Sequence, residues 1–89
     1  MLKTVQILAP DETAARDLAD DGLILFTPRV LQANGSWQVE VAFAKSQCVL
    51  IETLIVQWLR RGGLTETTVI DGARRVQVGA SLEAPPVLR

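Results

Sequence analysis

Ser46-Gln47-Cys48-Val49-Leu50-Ile51-Glu52-Thr53-Leu54-Ile55-Val56-Gln57-Trp58-Leu59-Arg60-Arg61-Gly62-Gly63 is the one long segment of this 89-residue chain with a helical period. At ~100° per residue, Cys48, Ile51, Leu54, Ile55, Trp58 and Leu59 fall on one stripe, opposite Ser46, Thr53, Gln57 and Arg60. Ser46 is the expected N-cap, its hydroxyl accepting from an early helical N–H. Arg60 and Arg61 place positive charge at the carbonyl end of the dipole, and Gly62 is expected to turn left-handed and end the helix. Val49, Leu50 and Val56 lie off the stripe. Covering loops are the simpler account of them, and a partner surface is the alternative.

The flanking sequence reads as strands that need this helix. Residues 2–9 alternate, with Lys3, Val5, Ile7 and Ala9 on one face and Leu2, Thr4, Gln6 and Leu8 on the other. Pro10 stops that strand, and Asp11 caps a short helix over 12–20 with Ala14, Ala15 and Leu18 inward. Residues 23–32 and 36–44 read as strands joined by Asn34-Gly35, a hairpin signal because both residues accept positive φ. The two-residue loop sets Val30 opposite Val39, Pro28 opposite Val41 and Phe26 opposite Phe43, with Ile24 and Trp37 on the same face. Arg29 then meets Glu40 on the other face, and Leu31 meets Gln38. Pro28 has no N–H to donate, which asks for an edge strand. After the long helix, 65–70 and 73–79 read as a second hairpin about Asp71-Gly72, with Val69 opposite Arg74 and Thr67 opposite Val76. The expected domain spans 1–80, and Pro85-Pro86 makes 81–89 an expected loose tail.

Composition removes several function classes. With 48% hydrophobic and 21% charged residues the chain has the material for a core, so disorder is not expected. The net charge of −1 argues against a nucleic-acid binder that relies on phosphate contacts, and it leaves little repulsion between copies. One cysteine excludes an internal disulfide, and the absence of histidine excludes a Ser-His-Asp triad and leaves almost no zinc ligands. No apolar run reaches ~18 residues, and the first residues lack a signal-peptide core, so a cytoplasmic, bacterial-type setting without a membrane partner is expected. No cofactor motif is present.

The order β-α-β-β-α-β, with one more strand at the end, resembles the ferredoxin-like α–β plait. That resemblance implies an α+β fold with two helices on one face of an antiparallel sheet in the order 4-1-3-2. Its second strand is then an edge, as Pro28 requires. RNA-recognition plaits need aromatics on the open face of strand three, where this chain has Gln38, Glu40 and Ala42. The loop Ala9-Pro10-Asp11-Glu12-Thr13 has no Cys-x-x-Cys for heavy metals, and neither the arginine nor the glycines of acylphosphatase-like sites. ACT-like regulatory domains bind amino acids at this loop, though their usual glycine is absent here. Trp58-Leu59-Arg60-Arg61 followed by the Asp71-Gly72 hairpin is similar to the effector-associated constant component modules of bacterial conflict systems.

Three groups of side chains are candidates for chemistry. Cys48 sits in the first turn of the long helix, a place that suits a reactive thiol, and also on the buried stripe, where cysteine acts as a small hydrophobe. The second reading is preferred. Asp11, Glu12, Asp17, Asp20 and Asp21 surround the first helix without calcium-loop spacing, so capping and solvation explain them. Arg60-Arg61 and Arg74-Arg75 would form a basic patch only if the fold joined them. The functional expectation is a non-enzymatic interaction or adaptor module, homodimeric through an apolar open sheet face carrying Leu2, Leu8, Leu25 and Leu31, with Ile70 interrupting the same polar face, or through an exposed sheet edge beyond the last strand. The alternative is an ACT-like small-molecule-binding regulatory domain.

Overall fold

The alternating and helical patterns resolve, in the computed structural model, into five strands and two α-helices over the described residues 2–80. In chain order these are β1 (Leu2–Ala9), α1 (Glu12–Asp17), β2 (Arg29–Ala33), β3 (Ser36–Ala44), α2 (Cys48–Arg61), β4 (Glu66–Asp71) and β5 (Arg74–Gly79). The sheet order is β2-β3-β1-β4-β5, with every neighbouring pair antiparallel. The fold is thus α+β and compatible with a ferredoxin-like arrangement, and β5 sets its strand order apart from a plain four-stranded plait. The expected tail at 81–89 lies outside the described residues.

The period-2 pattern of the strands selects the inner face. Val5 and Ile7 of β1, Val39, Val41 and Phe43 of β3, Val69 of β4 and Val78 of β5 are buried in one core with the helices. On α2, Cys48, Ile51, Ile55, Trp58 and Leu59 are buried as the stripe requires, and Leu54 is half-buried. Val56 is buried as well, and so is Glu52, which lies only ~40° round the helix from Cys48. The helices are joined by the Trp58 indole N–H, which donates to the Ala14 carbonyl at 3.0 Å.

The caps differ from the expected ones in instructive ways. Asp11 does cap α1, its Oδ1 accepting the Ala14 N–H at 2.8 Å. Ser46 does not cap α2. A 3-10 turn, Lys45–Gln47, precedes the helix, and the Gln47 side chain accepts the Ala44 N–H at 2.8 Å. At the far end Gly62 keeps a negative φ of −86°, and Gly63 is the left-handed residue at +68°. The Leu64 N–H reaches the Leu59 carbonyl and the Gly63 N–H the Arg60 carbonyl, which is a Schellman termination one residue later than expected.

The first hairpin has the anticipated register, with Arg29 opposite Glu40, Val30 opposite Val39 and Leu31 opposite Gln38. Asn34 and Gly35 both take positive φ, as a type I′ turn requires. The second hairpin is shifted by two residues. Its loop is Gly72-Ala73, so Val69 faces Val76 and Thr67 faces Val78. This pairs apolar inner positions where the expected register set Val69 against Arg74.

The largest correction is at 23–32. The chain pairs with β3 only from Arg29 onward, so the expected pairs Phe26–Phe43 and Pro28–Val41 do not form. α1 continues instead as a π-helical turn, Leu18–Gly22, followed by a 3-10 turn, Ile24–Phe26. In an α-helix Leu23 would point ~140° away from Leu18. The wider π turn narrows that angle, and both side chains are fully buried. The Leu23 N–H bonds to the Leu18 carbonyl at 2.8 Å and the Phe26 N–H to the Leu23 carbonyl at 2.9 Å, so these groups are satisfied locally. Thr27 then takes a left-handed φ of 51° ahead of Pro28. A β-branched residue in that region stores about 1–3 kcal/mol of strain, held in place by the buried Leu23 before it and the β2–β3 pairing after it.

Candidate functional site

The sheet's open face is less apolar than the sequence suggested. Leu8 and Leu31 stand on either side of Gln38 in one row across β1, β3 and β2. In the next row Gln6 donates to Glu40 at 3.1 Å, and Arg29 lies 3.6 Å from the same carboxylate. Leu2 is beyond that polar row and beyond Thr4, opposite Ala44 at the other end of the strands. Ile70 pairs with Gln6 and so borders the polar row. Leu25 is not on the sheet at all, because it lies in the 3-10 turn. The fold therefore groups Leu8 with Leu31 and separates both from Leu2 and Leu25.

Exposed apolar surface collects elsewhere. Among the described residues the large hydrophobics left exposed are Leu2, Ile24, Leu25, Val49 and Leu50, with Leu25 at 90% and Leu2 at 65%. Topology brings all five to one end of the molecule. Leu2 opens β1 opposite Ala44, the last residue of β3. Lys45–Gln47 leads from there into α2, whose first turn carries Val49 and Leu50. The 3-10 turn with Ile24 and Leu25 packs on β3 and leads into β2, which begins opposite Glu40. The same end holds an ion-pair cluster, with Asp71 2.7 Å from Lys3 and 3.7 Å from Arg74. Val49 and Leu50 are legible in the sequence as residues off the helical stripe. Ile24 is not, because the strand reading turned it inward.

The opposite end carries a groove of about 540 Å³ between the β1–α1 loop and the C-terminal end of α2. Pro10, Asp11, Thr13, Ala14, Trp58 and Leu64 line it. Its carboxylates are engaged in structure. Asp11 caps α1, and Asp17 holds the Arg61 guanidinium at 3.2 Å. Glu12 pairs with Arg16 at 2.8 Å along one helix face. Among the described residues no group of three or more His, Cys, Asp and Glu is placed to hold a metal ion, and no helix is long and apolar enough to cross a membrane.

The two arginine pairs do not meet. Arg60 and Arg61 are at the groove end, where Arg60 donates to the Ala80 carbonyl at 2.8 Å. Arg74 and Arg75 are at the turn end of the β4–β5 hairpin. Cys48 is buried, only 2% exposed. A thiol reagent added to the native protein leaves it unmodified, whereas the urea-unfolded chain takes up one equivalent. Rapid stoichiometric labelling of the native state would contradict its place in the core.

No family model, curated protein or solved structure matches the chain.

Proposed function

We propose that this domain is a non-enzymatic protein-interaction module whose working surface is the apolar end formed by Leu2, Ile24, Leu25, Val49 and Leu50. One observation carries the reading: the exposed large hydrophobics of the described residues share that end, while the open sheet face is interrupted by Gln6, Glu40 and Arg29. Exposed apolar side chains scattered singly are ordinary, but several gathered at one end mark a contact surface. The architecture is read as a ferredoxin-like plait widened by β5, a fold that by itself assigns no activity. In this reading Trp58 and the β4–β5 hairpin serve the fold, so the resemblance to effector-associated constant component modules adds no site.

Photo-crosslinking in cells tests the surface. A benzophenone amino acid at Leu25 is expected to capture a protein chain, and the same probe at exposed Gln77 is not. Equal yields at the two positions would remove the basis for the reading. A second reading, an ACT-like small-molecule regulatory domain, is favoured by the groove at the β1–α1 loop. It predicts that one of the free amino acids raises the melting temperature in proportion to the logarithm of its concentration. A flat response across the set rejects it.

A further inference from the structure

We draw no further inference here: the strongest candidate, the exposed apolar patch of Leu2, Ile24, Leu25, Val49 and Leu50 at the end of the molecule where β1 and α2 begin, belongs to the surface already described, and nothing in the structure shows what covers it.

Discussion

Trp58→Ala lowers the stability of the domain by about 3–5 kcal/mol, read from urea or thermal unfolding. The side chain is 1% exposed and is the largest of those fully buried. Its removal opens a cavity between α1, α2 and the sheet, and it deletes the indole bond to Ala14 that ties the helices together. For a domain of this size each kcal/mol moves the melting temperature by about 4–8 °C, so the transition falls by more than ~12 °C. Trp58→Phe separates the two contributions. It keeps most of the ring and loses the N–H, and the Ala14 carbonyl retains its bond from the Leu18 N–H, so the loss is about 1–2 kcal/mol. A loss below ~1 kcal/mol for the alanine variant would show that the two helices do not depend on this side chain.

Trp58 was legible because a helix advertises its buried side through several turns at once. Cys48, Ile51, Ile55 and Leu59 agree with it in phase, and a single wrong assignment could not have moved the stripe. Glu52 shows the limit of that reasoning. Its phase falls within the stripe, carboxylates are ordinarily exposed, and the structure buries it. Helix ends are written in fewer letters. Gly62 and Gly63 are both able to turn left-handed, and only the bonds of Gly63 and Leu64 to Arg60 and Leu59 select the second.

The two hairpins make the same contrast for strands. Asn34-Gly35 is flanked by runs whose alternation, charge pair and turn geometry all agree on one register. Asp71-Gly72 is a similar dipeptide, but Asp71 belongs to β4 and pairs with Arg74 across the strands. Gly72 takes the positive φ at the first loop position and Ala73 fills the second, the arrangement of a type II′ turn. The dipeptide alone does not say which of its residues stands outside the ladder. Apolar matching across the strands does, since it sets Val76 against Val69 and Val78 against Thr67.

The candidate surface was harder to read for a related reason. Leu23-Ile24-Leu25-Phe26 is a continuous apolar run without period, compatible with a strand or with the end of a helix. Adjacency to a clear hairpin favoured the strand, which placed Leu25 on the same open sheet face as Leu31. The decisive fact is tertiary: Leu18 and Leu23 both fit the core only if the helix widens between them. That widening carries Ile24 and Leu25 out of the sheet and into the end of the molecule.

Leu23→Ala and Leu25→Ala test this placement because the two readings disagree about them. On a strand over 23–32 both leucines would share the open face and respond alike. In the observed turn they are opposites, Leu23 fully buried and Leu25 90% exposed. Leu23→Ala is therefore expected to cost about 2–5 kcal/mol, whereas Leu25→Ala stays within ~0.5 kcal/mol of wild type in denaturant unfolding. Binding at the proposed apolar surface reverses the order of directness. Leu25→Ala is expected to weaken it by removing contact area while leaving the fold intact. Leu23→Ala is expected to weaken it only through the turn, because the buried leucine anchors the segment that holds Thr27 left-handed and presents Ile24 and Leu25. Equal unfolding losses at the two positions would return this segment to the sheet. They would also remove Leu25 from the surface on which the proposed contact depends.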